Sequence, residues 1–219
     1  MPNYLAIDTA TECCSAALWF DGKLYHKNTV QPQKHAELIL GFVEDLLLEA
    51  NAKKSDLDGL IIGQGPGAFT GVRIATGVAQ GIALGLSLPV VAVSNLQTLA
   101  YRAYIDSKTS EEKTILVAAD ARMKEVYTAK YKVSSTTIEQ LTPEQVISPN
   151  QVNTSSSELY IGSGFHVYKE LIKYRESNSI GIETHIFSEA KDMLLMVKDE
   201  FVSLAQSIDK IEPVYLREP

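Results

Sequence analysis

Hydrophobic and polar positions recur at two different periods along this chain, and each change of period marks a change of element. Near the start, Asn3–Asp8, Ser15–Phe20 and Lys23–Thr29 are short runs rich in apolar and β-branched residues, with Asp21-Gly22 as a turn signal before the third. Such runs predict an antiparallel meander of strands. From His35 to Ala50 the spacing lengthens: Leu38, Ile39, Phe42, Val43, Leu46 and Leu47 fall at the i, i+3, i+4 positions of an amphipathic helix. Leu40 and Leu48 lie off that stripe. A helix apolar on more than one face sits deep in a core or has two neighbours, one of which can be another subunit. A strand at Gly59–Gly63, a helix over 70–86, a strand at Val90–Val93 and a helix over 95–105 complete a β-β-β-α-β-α-β-α first half.

The stretch 106–113 is polar and without period, which sets a boundary between a first lobe, 1–105, and a second, 106–219. Beyond it the opening pattern returns: Thr114–Asp120 reads as an apolar strand ending in aspartate and Val126–Val133 as its antiparallel mate. The pattern then predicts a short helix over 142–147, a strand at Leu159–Ile161 ending in Gly162-Ser163-Gly164, a helix over 167–174 and one long helix over 188–207. The tail 211–219 fits either lobe.

Between the strand at Gly59–Gly63 and the helix over 70–86 lies the most distinctive block, GQGPGAFTGVRIATGVAQGIA from Gly63 to Ala83. Gly63, Gly65, Pro66 and Gly67 build a turn, and Thr70 is placed to cap the helix. Gly77, Gly81 and Gly85 then recur every fourth residue beside a row of Ala75, Ala79 and Ala83. Each glycine costs about 1 kcal/mol of helix propensity relative to alanine, so three on one face point to close packing, inside the fold or across an interface.

Composition narrows the classes. At 219 residues the chain has room for two lobes of roughly 100 residues, each with its own core. Its net charge of -7 argues against a free-standing nucleic-acid binder, because phosphate affinity comes chiefly from clustered Lys and Arg. No continuous apolar run reaches the roughly 18 residues a bilayer span needs, and the first residues lack a secretory signal, so the expected location is cytoplasmic with no membrane partner. The two cysteines, Cys13 and Cys14, are adjacent in a strand and point to opposite faces, which predicts buried, reduced thiols.

Candidate chemistry is sparse. Asp8 and Asp120 each end the first strand of a lobe, where a carboxylate can hold a metal bound to phosphate; the plainer role, capping the turns that follow, is the favoured one. With Thr9, Gly162 and Gly164 they make up a possible weak nucleotide cleft. His26, His35, His166 and His185 show no metal-ligand spacing. Gly162-Ser163-Gly164 lacks the spacing of a nucleophile elbow, and 63–71 lacks the Lys-Ser/Thr of a P-loop. No metal or cofactor is expected.

The glycine-rich block, together with the opening LAIDTATECCSAAL, the phrase DARMKEVYTA and the closing PVYLR, resembles the bacterial TsaB family, also known as YeaZ, over essentially the whole chain. The resemblance implies an α/β, two-lobed actin-, hexokinase- and Hsp70-like (ASKHA, ribonuclease H-like) fold. It also implies a non-catalytic part in forming N6-threonylcarbamoyladenosine at position 37 of tRNA, as partner of the transferase TsaD with the ATPase TsaE, with tRNA met only through that complex. TsaD holds its metal partly through an H-x-x-x-H pair, and the comparable positions here are Asn95 and Leu99. A leucine cannot bind a metal. The family's pairing mode sets the helices over 35–50 and 70–86 against those of TsaD, or of a second copy when alone. It points to His35, Leu38, Ile39, Phe42, Leu46, Val72, Thr76, Ala79 and Gln80 as interface residues. The rival function is an ATP-dependent phosphotransferase or nucleotide hydrolase of the same fold. Against it, Asp8-Thr9-Ala10-Thr11 lacks the glycine that lets backbone approach a phosphate.

Overall fold

The architecture is that of a computed structural model, which describes residues 1–31, 33–175 and 187–217. The chain divides into two compact units, Met1–Asn95 with Ser188–Val214, and Leu96–Phe187 with Tyr215–Pro219.

Unit 1 is built on a five-stranded sheet. Its strands are β1 (Tyr4–Asp8), β2 (Cys13–Phe20), β3 (Lys23–Val30), β4 (Gly59–Gly63) and β5 (Val90–Val93), in spatial order β3-β2-β1-β4-β5. The meander β1-β2-β3 is antiparallel, while β4 and β5 run parallel to β1. Alternate side chains point to opposite faces of a strand, so both faces can be apolar and each needs a cover. On one face Leu5, Ile7, Leu18, Leu60 and Ile62 pack under α1 (His35–Glu49) and α2 (Phe69–Leu86), through Ile39, Val43, Leu46, Ala79 and Ala83. On the other, Tyr4, Ala6, Ala17, Ile61 and Val91 meet Met193, Leu194, Val197 and Phe201 from the C-terminal part of the chain.

Unit 2 opens one residue into α3 (Asn95–Ser107), whose Leu96, Leu99, Ala100, Ala103 and Tyr104 pack on a second sheet. That sheet comprises β6 (Lys113–Asp120), β7 (Val126–Val133), β8 (Ile138–Gln140), β9 (Gln145–Ile147) and β10 (Leu159–Ile161). The hairpin β6-β7 is in register from Lys113↔Val133 to Asp120↔Val126, and β10 lies parallel to β6. Its other face is covered by α4 (Gly164–Val167) and α5 (Lys169–Arg175), which bring Phe165 and Leu171 onto Leu116, Ala118 and Val126. Two units, each with a mixed sheet and covering helices, agree with the α/β fold the resemblance implies.

Several expectations need correction. The boundary falls at Asn95/Leu96, not at 105/106, because the apolar stripe of α3 belongs to the second core. The long helix over 188–207 is two helices, α6 (Ala190–Val197) and α7 (Phe201–Leu204), and both return to unit 1. It stops because Gln206 exchanges two backbone hydrogen bonds with Val90 (2.8 and 2.9 Å), which needs extended chain at the edge of the first sheet. The short helix over 142–147 is strand β9. Together β8 and β9 share the free edge of β7, and the Leu141 and Thr142 amides between them both donate to Lys130 O (2.8 and 3.4 Å). The helix over 167–174 breaks at Tyr168, whose backbone is extended. The tail is divided: Ile208 and Ile211 enter the first core, whereas Tyr215–Pro219 belongs to unit 2.

Candidate functional site

Helix α2 begins at Phe69 behind Ala68, so Thr70 is not its cap; the Ala68 N–H instead donates to Ala10 O (2.7 Å). One face of the helix, Val72, Ala75, Thr76, Ala79 and Ala83, is buried on its own sheet. The outer face is open. A Cβ at Gly77, Gly81 or Gly85 would meet nothing within 4 Å, so close packing inside the fold does not explain these glycines. By length and composition α2 is apolar enough to cross a membrane, with mean hydropathy 1.2 over 18 residues, although its residues never form an unbroken apolar run. Only a third of it is buried.

Between α1 and α2 runs an apolar groove of about 350 Å3 that reaches Leu5 of β1. Val43 and Leu47 line it from α1, Ile82 and Leu86 from α2, and Glu44 and Lys54 are its charged lining. The absence of side chains at Gly81 and Gly85 keeps the α2 wall low. On the same helices Leu40 (52%), Leu48 (79%), Phe69 (54%) and Leu84 (70%) are exposed, and Arg73 stacks on the Phe69 ring. Of these, Leu40 also lines the groove.

The expected interface residues divide. Gln80 is exposed and Leu38 and Phe42 are half-buried. Ile39, Leu46, Val72 and Ala79 are wholly buried in the chain's own core, and the Thr76 hydroxyl donates back to Val72 O (3.0 Å), so these five lie on the inner face. His35 is buried as well, its Nε2 without a hydrogen-bond partner. The outward positions were marked in the sequence by Leu40 and Leu48, which fall off the amphipathic stripe.

Asp8, at the end of β1, is fully buried in unit 1. Its Oδ1 accepts from the Ala10 amide (3.0 Å), Ser188 Oγ donates to Oδ2 (2.7 Å), and Asn95 Nδ2 lies 3.0 and 2.9 Å from the two oxygens. Burial pushes its pKa up, while the donors from Ser188, Ala10 and Asn95 and the nearby His35 act against that rise. Gly63 makes room for the carboxylate, since a Cβ there would overlap Oδ1. Thr9 Oγ1 donates to Gly71 O (2.6 Å), and the Thr9 and Ala10 carbonyls fill the space that a Cβ at Gly71 or Gly67 would need. The backbone after Asp8 is therefore covered by the start of α2.

Asp120, in unit 2, accepts from the Arg122 amide (2.9 Å) and from the Tyr168 hydroxyl (2.6 Å). Burial and that aspartate together push the Tyr168 phenol up to about 12. Both aspartates thus cap the turns that follow them, the favoured reading of the sequence. Gly162 (φ +117°) and Gly164 are needed for another reason: a Cβ on either would run into Ala118 O of β6. In the turn after Asp120, Arg122, Met123 and Lys124 all have positive φ. Arg217 holds that turn, with its Nη2 donating to Ala121 O (3.2 Å) and pairing with Glu125.

Among the described residues no three His, Cys, Asp or Glu side chains cluster as a metal would require; His185 lies outside them. Asn95 spends its side chain on Asp8, Ser188 and the Gly65 amide, and Leu99 is core.

Residues 28–213 match the family described as TsaD, tRNA N6-adenosine threonylcarbamoyltransferase. The chain is 35% identical to the tRNA threonylcarbamoyladenosine biosynthesis protein TsaB of Escherichia coli K12, over 97% of this chain and 94% of that protein. It is also 35% identical to the protein of the same name from Haemophilus influenzae, over 97% and 92%. The solved structure of YeaZ from Pseudomonas aeruginosa superposes with a TM-score of 0.85 at 35% identity, covering 99% of this chain and all of that one.

Proposed function

This chain belongs to the TsaB (YeaZ) family, and from that premise we propose that it takes part in tRNA threonylcarbamoyladenosine formation as a non-catalytic docking subunit. Its outer α1/α2 face pairs with TsaD, and with a second copy of itself when TsaD is absent. TsaE joins the assembly, and tRNA is met only through it.

The observation that carries this reading is the open outer side of α2: exposed Leu84, an unfilled glycine row and an apolar groove shared with α1. A helix backbone without side chains lets a second helix approach closely, and the groove accepts the side chains that helix brings. A partner of the same family presents helices in the same places, so one face serves self-pairing and TsaD in turn. Two further observations favour a non-catalytic role. Leu99 stands in an apolar core where the transferase would place a metal-binding imidazole. The Thr9-Ala10 backbone, where relatives of this fold bring a phosphate, is packed against Gly67 and Gly71.

The test replaces Leu48 and Leu84, each exposed and neither in the core, by glutamate. Light scattering then reads self-pairing, a pull-down reads TsaD binding, and a reconstituted transfer assay with TsaD and TsaE reads function. The expected result is loss of all three with an unchanged melting temperature. Intact pairing in both variants, or transfer that proceeds when this chain is omitted, overturns the reading.

A further inference from the structure

The chain passes between its two units three times, after Asn95, before Ser188 and after Val214. All three points are tied to one place inside unit 1. Asn95 and Ser188 both donate to the Asp8 carboxylate, and Asn95 Nδ2 also lies 2.7 Å from Ser188 Oγ. Val214 is one step removed, since its N–H donates to Gln64 O (2.8 Å). The next residue, Gly65, donates its N–H to Asn95 Oδ1 (2.8 Å) and accepts the Asn95 N–H on its carbonyl (2.9 Å). Residues far apart in sequence thus meet on a single side chain, 87 positions away for Asn95 and 180 for Ser188.

We infer that Asp8 is a lock, a buried carboxylate that fixes all three passages of the chain into and out of unit 1 and whose loss releases them together. The chemistry is specific to a carboxylate. Both carboxylate oxygens are used as acceptors, so the Ala10 amide, the Asn95 amide and the Ser188 hydroxyl are all held by one side chain. An asparagine of the same size has one acceptor oxygen and one NH2, and that NH2 faces either the Asn95 amide or the Ala10 N–H. The sheet beneath is held differently, by apolar packing of Leu5, Ile7, Ile61 and Ile62, none of which needs the carboxylate. Opening of the lock is therefore a local event with its own free energy, separate from unfolding of the unit. The inference goes beyond the docking reading and stands without it, because the lock belongs to none of the outward-facing surface of α1 and α2.

The test is amide hydrogen exchange on the whole chain, comparing the natural protein with Asp8→Asn and Ser188→Ala. The expected result for Asp8→Asn is at least tenfold faster exchange at Ala10, Gly65, Asn95 and Val214 together, while Ala6 and Ala17 in the centre of the sheet keep their natural rates. Ser188→Ala removes one donor and leaves the carboxylate, so it is expected to raise the same four rates by a smaller factor. It also carries the test if Asp8→Asn does not fold. Faster exchange confined to Ala10, an equal rise at Ala6 and Ala17, or no change at Gly65, Asn95 and Val214 overturns the inference.

Discussion

The Phe201 ring occupies the space that a side chain on Gly59 would fill, and it lies stacked on Tyr4 with ring centroids 4.1 Å apart. Gly59 begins β4 and Tyr4 begins β1, so the bare backbone of one strand and the ring of the next together seat α7.

Gly59→Ala is accordingly expected to destabilise the protein by about 1–3 kcal/mol, the usual cost of overpacking a filled core. Phe201→Ala is expected to cost about 3–5 kcal/mol by leaving a cavity. The two side chains compete for one space, so the double variant should be more stable than the sum of the single losses. Urea denaturation of the three variants measures this, and strict additivity would contradict the packing described.

On α2 the glycines give the opposite expectation. Gly81→Ala and Gly85→Ala each add a methyl that meets nothing within 4 Å and replace a poor helix former with the best one. Each should stabilise the isolated chain by up to about 1 kcal/mol while weakening self-pairing and TsaD binding, because the added methyl narrows the groove. A melting curve together with sedimentation reads both effects.

Cys13 and Cys14 should be chemically silent in the folded protein. Burial pushes the Cys13 thiol up to about 12 and the Cys14 thiol up to about 11, so almost no thiolate exists at neutral pH. Ellman's reagent at pH 8 is expected to find no reactive thiol in the native chain and two in urea. Rapid labelling without denaturant would contradict their burial.

The turn at Arg122, Met123 and Lys124 holds three side-chain-bearing residues in the left-handed region, where each costs roughly 1–2 kcal/mol. Lys124→Gly (φ +62°) should relieve part of that cost and raise stability by about 1 kcal/mol, read from the denaturation midpoint. Arg217→Ala should loosen the same turn, with faster amide exchange at Ala121 and Glu125.

Local pattern was enough to read most elements to within a residue or two, because the short apolar runs of β1, β2 and β6, the pattern of β7 and the helical spacing in α1 are local properties. What it could not supply was decided by distant partners. The end of α7 is set by Val90 through Gln206, and its seat by Gly59 under Phe201, both of which lie more than a hundred residues nearer the N-terminus. The sidedness of α2 is hidden because its alanine and glycine rows share one period, and only the sheet selects alanine for the inside. The same holds for α3, whose apolar stripe suits either core. Asp8 stands out for its place at the end of β1, but nothing near it in sequence names Asn95 and Ser188 as its partners.

The short bridge between Gln206 and Val90 has a consequence for solubility. Strand β5 is one border of the first sheet, and a border with free backbone N–H and C=O groups invites strands from other molecules. A chain cut before Gln206 loses the segment that caps this border, along with Ile208 and Ile211 from the core, and such a fragment will self-associate into β-rich aggregates rather than stay dispersed.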